Sequence, residues 1–236
     1  MRLFVAITPP RAVLLEVRAA VDALKRGNDP GVNTLLRWTR PETWHITVAF
    51  LGEVSEDRLD RLVPRLERAA RRHLVFGLSL AGAGAFPSQS RANVLWCGLS
   101  GDRKALGELA MSVSAGARRA GVPSPDEGRR YRPHVTLARC RTPANVAAIV
   151  ADLSGYQGPT WAADEIYLIR STLNGQPRYE TVGTWKLKTG LSFRGLVRRR
   201  AGSGARRGSA PAGAAPARPR GGGGPAAPRP CPRWSP

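Results

Sequence analysis

Cysteine is scarce in this chain of 236 residues, which holds three. Cys97, Cys140 and Cys231 are odd in number, far apart and never in a C-x-x-C, so they suggest neither a disulfide framework nor a zinc site. A reducing, cytoplasmic setting fits that usage. No apolar run nears the length of a membrane span. Residues 1–7 form an apolar start too short for a signal peptide and run straight into Pro9-Pro10. A soluble, unexported monomer is the expectation.

Acidic residues are also few: 17 Asp+Glu stand against 37 Lys+Arg, for a formal net charge of +20. Residues 190–236 carry ten Arg and no acid, so half of that charge belongs to this final stretch. The remainder still favours a polyanionic partner such as RNA, DNA or a nucleotide. A GC-rich coding sequence gives the same excess of Arg over Lys, of which there are four. From Arg194 onward the composition turns to Arg, Gly, Ala and Pro without periodicity, so residues 190–236 are expected to be a disordered basic tail and residues 1–189 the folded domain.

Within 1–189 strands and helices alternate. Residues 2–8 read as a buried strand. Pro9-Pro10 opens a helix to Gly27 with Leu14, Val17, Val21 and Leu24 on its apolar face. A short strand at 35–39 precedes a longer one at 44–51. Ser55 then caps a second helix that Pro64 is expected to kink or break. Residues 74–81 and 92–99 suggest a hairpin around a loose 82–90 loop. After a helix over 102–120 and a polar loop over 121–130, the plan repeats with a strand at 134–138. Thr142-Pro143 should open a further helix to about residue 153, and strands at 165–171 and 179–188 flank an Asn174-Gly175 turn.

Histidine is scarcer than most residue types, at three in all, yet two of the three sit in the same short string. His45-Ile46-Thr47-Val48 and His134-Val135-Thr136-Leu137 both fall in predicted strands. Alternation puts each His and its Thr on one face, with Ala49 beside them and Trp44, Ile46, Val48 and Phe50 on the other. This weak duplication implies two related lobes across a cleft. Two imidazoles suit displacement at phosphorus: one, neutral, takes a proton from water and the other, protonated, gives one to the departing oxygen. A Thr hydroxyl on the same face can hydrogen-bond a phosphate oxygen. Nothing in this chemistry calls for a metal or cofactor. Arg132, two residues before His134, is either a phosphate clamp or a solvated loop arginine. Tyr131 reads as core or as a surface for a base to stack on. His73 lacks the H-x-T context, and the 82–84 glycines lack the lysine of a phosphate loop.

The contexts W-H-I-T-V-A-F-L-G-E-V and Y-R-P-H-V-T-L-A-R resemble the 2H phosphoesterase superfamily, and look most like its RNA 2′,3′-cyclic phosphodiesterases, once named 2′-5′ RNA ligases. Matching flanks extend the resemblance over about residues 1–188. It implies an α+β, bilobal, pseudo-symmetric fold, with two antiparallel sheets lining a central cleft and helices outside. It also implies opening of RNA 2′,3′-cyclic phosphate ends to 2′-phosphomonoesters, with His45 as proton donor and His134 as proton acceptor. Thr47, Thr136 and Arg132 would bind the phosphate. Ala49 stands where relatives often carry Arg, which removes one basic contact near the cleft. Cyclic-ended RNA is the expected partner, with tRNA fragments and small cyclic nucleotides as further candidates. A nucleotide-binding module without turnover, and 2′-5′ ligation by the reverse reaction, are the alternatives.

Overall fold

Residues 2–7 place apolar side chains on both faces, and a strand of that kind belongs in the interior of a sheet. The computed structural model describes residues 1–27, 34–172 and 178–190. In it β1 (Arg2–Ile7) lies between β3 (Ile46–Glu53) and β8 (Glu165–Thr172), and β9 (Arg178–Lys186) completes an antiparallel sheet of order β3-β1-β8-β9. A second antiparallel sheet is made, in spatial order, of β2 (Leu36–Trp38), β6 (Val135–Ala144), β5 (Ala92–Gly101), β4 (Phe76–Phe86) and β7 (Trp161–Ala163). The expected α+β fold of two antiparallel sheets is therefore present. The sheets interleave along the chain: β2 from the first third joins the second sheet, while β8 and β9 return to the first.

Four helices are described: α1 (Arg11–Gly27), α2 (Glu56–Arg72), α3 (Arg103–Arg119) and α4 (Ala147–Asp152), with a 3₁₀ turn at Pro41–Thr43. The buried stripe of α1 is Val13, Val17, Val21 and Leu24, so Val13 takes the place expected of Leu14. α3 is capped by Asp102, whose side chain accepts the Ala105 N–H at 3.1 Å. None of these helices is long and apolar enough to cross a membrane. Most buried side chains form one core; a small second cluster of Phe4, Ala6 and Ile169 lies on the opposite face of the first sheet, with Phe50 and Tyr167 against it.

Several local expectations are corrected. Pro64 does not end its helix, because α2 continues to Arg72. Asp60 and Pro64 both face solvent, so the Asp60 carbonyl that loses its helical donor is not stranded in the core. The supposed 82–90 loop is strand as far as Phe86. Its small residues serve packing: a Cβ on Gly84 would fall 2.2 Å from the Trp96 ring. Thr142-Pro143 does not start a helix, since β6 runs on to pair Ala144 with Ala92. The helix begins after Asn145, whose side chain accepts the Ala147 N–H at 3.0 Å. The Asn174-Gly175 turn and residues 191–236, with Cys231, lie outside the described residues. Cys97 is core, its thiol pushed up to about 12 by burial.

Candidate active site

Each H-x-T-x string begins one residue before its strand, and each strand carries an irregularity at the fourth position. In β3, Val5 pairs with Ala49 but Ala6 with Thr47, so Val48 is an extra residue. In β6, Leu95 pairs with Ala138 but Trp96 with Thr136, so Leu137 is extra. A bulge of this kind re-aims the side chains that follow it. Ala49 and Ala138 turn into the core, at 6% and 0% exposure. Phe50 and Arg139 turn to the cleft, where both line the same cavity as the histidines. Strict alternation thus fails after Thr47: Phe50 is not a core residue, and position 49 does not face the cleft. The paired apolar residues Val48-Ala49 and Leu137-Ala138 are the sequence trace of the bulges.

The cavity has a volume of about 550 Å³ and lies between the sheets. His45, Thr47, His134 and Thr136 all line it, together with Arg2, Arg37, Arg40 and Arg139, and among the described residues no Asp or Glu does. Arg132 is not among its lining residues. That side chain is exposed and lies over the Phe86 ring, 6.0 Å from its centroid, in a neighbouring groove. The Arg132 backbone does reach the site, because its carbonyl is 2.7 Å from His134 Nδ1. The Thr43 carbonyl stands 2.8 Å from His45 Nδ1 in the same way. A carbonyl only accepts, so Nδ1 carries the proton in both rings and Nε2 is left to titrate.

Aromatic rings hold each imidazole. His45 stacks on Phe4 at 4.7 Å and meets Tyr179 edge-on at 5.4 Å. His134 meets Phe86 edge-on at 5.0 Å, with Trp96 at 6.1 Å. Burial holds both histidines below their ordinary range, against the opposing pull of the Thr43 and Arg132 carbonyls. Positive charge on His134 and Arg139 lowers His45 further, and Arg139 lowers His134. Arg139 therefore shares the cavity with both rings and opposes the protonation of each, a role the sequence reading missed. Tyr179, also missed, is pushed up by burial, with Arg139 and Arg2 opposing.

Two hydrogen-bond clamps tie the strings together. Trp44 Nε1 donates to Thr39 Oγ1 at 2.8 Å, and that hydroxyl donates to the carbonyls of Thr136 and Leu137, each at 2.8 Å. In the reverse direction Tyr131 donates to the Thr47 carbonyl at 3.0 Å. Tyr131 is thus a cross-sheet strut rather than a base platform. Among the described residues no group of three or more His, Cys, Asp or Glu side chains gathers to hold a metal ion. His73, at the end of α2, is not part of the cavity lining.

A family model described as LigT like Phosphoesterase matches residues 9–96 and 99–179. The chain belongs to the LigT-like phosphoesterases. A relative from Aquifex aeolicus named RNA 2′,3′-cyclic phosphodiesterase is 29% identical over 106 residues, 45% of this chain and about half (56%) of its own length. A second of that name, from Methanothermobacter thermautotrophicus, is 26% identical and covers 79% of this chain and 99% of its own. The crystal structure of TT0787 from Thermus thermophilus superimposes with a TM-score of 0.65 at 26% identity, over 80% of this chain and 99% of that one. E. coli LigT complexed with 3′-AMP gives 0.60 at 27% identity, over 79% and 97%. This LigT-like phosphoesterase thus shares its fold with a relative solved with a nucleotide.

Proposed function

We propose that the folded unit, residues 1–189, hydrolyses RNA 2′,3′-cyclic phosphate ends to 2′-phosphomonoesters by paired-histidine acid–base catalysis. The observation that carries this reading is the convergence of two carbonyl-anchored imidazoles and two Thr hydroxyls in a cavity lined by four arginines and, among the described residues, no acid. The names of the relatives and the 3′-AMP bound by a structural neighbour support a nucleotide substrate.

In this reading His134 Nε2 removes a proton from water as its oxygen bonds to phosphorus. The P–O3′ bond breaks, and His45 Nε2–H gives its proton to O3′. The product is a 2′-phosphate beside a free 3′-hydroxyl, and proton exchange with solvent resets both rings. Thr47 and Thr136 hydrogen-bond the non-bridging oxygens, with Arg139 as fixed positive charge beside them. Arg132 acts through the carbonyl that orients His134. The depressed pKa of His134 suits a base; His45, depressed too, takes up its proton when the anionic phosphate binds against it. The donor and acceptor roles follow the family resemblance, because burial lowers both rings alike.

The test is an oligoribonucleotide ending in a 2′,3′-cyclic phosphate, incubated in EDTA with the terminal phosphate of the product located. Conversion to a 2′-phosphate is expected, with each of His45→Ala and His134→Ala slower by about 10²- to 10⁴-fold. Full activity in either variant, or a 3′-phosphate product, overturns the reading.

A further inference from the structure

Two further depressions open from the His/Thr cavity, and they share no lining residue with each other. One, about 1210 Å³, borders α3 and meets the cavity at Thr47, Phe50 and His134. The other, about 510 Å³, meets it at Arg37 and Arg139 and adds Arg141 and Asn93.

The smaller depression carries an arrangement that costs stability. Arg37 and Arg139 are direct cross-strand partners in the β2–β6 ladder, and like charges placed opposite one another on a sheet repel. Arg141 follows Arg139 by two residues and lines the same depression. All three arginines are exposed. No acidic side chain lines this depression, and no ion pair involves any of the three among the described residues. Three unneutralised guanidinium groups in a row beside a phosphate-handling cavity call for an anion with more than one phosphate.

Charge chooses between the two depressions. The larger is lined by Glu108, Asp126 and Glu127, which pair with Lys104, Arg129 and Arg118. The arginine row is the exit whose positive charge is left for a polyanion. We propose that Arg37, Arg139 and Arg141 form a second phosphate subsite for the phosphodiester that precedes the cyclic end, so that the substrate is an RNA strand terminus in preference to a cyclic mononucleotide. This inference rests on the hydrolytic reading for the cyclic end that the subsite precedes.

The test compares a short substrate with a longer one. Turnover is measured on 2′,3′-cyclic AMP and on a trinucleotide with a 2′,3′-cyclic end, and binding is measured on adenosine 3′-phosphate and on a 3′-phosphorylated trinucleotide. Arg141→Gln should weaken the trinucleotide by about tenfold, the loss of one hydrogen bond to a charged group. It should also lower the slope of log affinity against log salt by about 0.7, one phosphate contact on a single strand, and leave both mononucleotides unchanged. Arg141→Lys should restore most of the affinity. The melting temperature of Arg141→Gln should not fall, which separates lost contact from lost fold. Equal losses on short and long ligands, or no loss on either, overturn the subsite. If the wild-type protein hydrolyses neither substrate, the hydrolytic reading fails, and the binding comparison still decides the subsite.

Discussion

The two half-sites are built alike and finished differently. Each has a histidine whose Nδ1 is held by the carbonyl two residues back, a threonine two residues on, a bulge at the fourth position and an alanine turned into the core. The next cleft-facing side chain is where they part: Phe50 in β3, with the Arg2 guanidinium 5.0 Å over its ring, and Arg139 in β6. One bulge therefore delivers an apolar wall and the other a fixed charge. A duplicated scaffold gains its asymmetry from the first position that the bulge makes available.

Removing that asymmetry should have a large effect on one side and a small one on the other. Arg139→Gln takes away the cation that shares the cavity with both imidazoles, and kcat on cyclic-ended RNA should fall about 10²-fold, the scale for losing one preorganised charge-stabilising group. Both histidines should rise in pKa, so the acidic limb of the pH–rate profile moves to higher pH. Phe50→Leu keeps an apolar wall and should cost less than about tenfold. Comparable losses in the two variants would mean that the half-sites contribute equivalent groups after all.

The sequence made the motifs and the sheets legible but left out what depends on register. His45, Thr47, His134 and Thr136 could be placed on strand faces because a period of two holds as far as the threonine. Beyond it one extra residue inverts the side chains that follow, up to the next register shift, which is why alternation puts Phe50 on the core face and passes over Arg139. Gly82 to Phe86 looked like a loop because glycine normally weakens a strand. The bulk of Trp96, a residue on the partner strand, is what makes Gly84 fit there. Arg37 gained its meaning only from the pairing of β2 with β6, a contact between segments about a hundred residues apart that no local pattern announces.

The two clamps provide a smaller contrast. Thr39→Val removes a hydroxyl that serves three partners and leaves Trp44 Nε1 buried without an acceptor. A loss of about 2 kcal/mol is expected in denaturant unfolding, the range for stranding a buried donor. Tyr131→Phe removes a single donor to the Thr47 carbonyl and should cost about 1 kcal/mol. Reversal of that order would place the principal tie between the strings at Tyr131.

The pH dependence of stability compares the histidines themselves. Burial favours the neutral ring in the folded state, so each folded pKa lies below the ordinary histidine value of 6.5. Below 6.5 the unfolded chain binds more protons than the folded one, and stability must fall as pH drops through the folded value; above 6.5 the contribution is complete. Wild-type protein should therefore lose stability as pH falls below about 6.5 in urea titrations. His45→Gln and His134→Gln should each lose less over the same interval, because the glutamine does not titrate. Each reduction reflects the burial of that ring first, and because repulsion between the two charged rings is mutual, either substitution also makes the remaining ring easier to protonate. Equal pH dependence in wild type and His45→Gln would show that the His45 ring is as well solvated in the fold as in the unfolded chain, and the two half-sites would then differ in hydration as well as in the residue after the bulge.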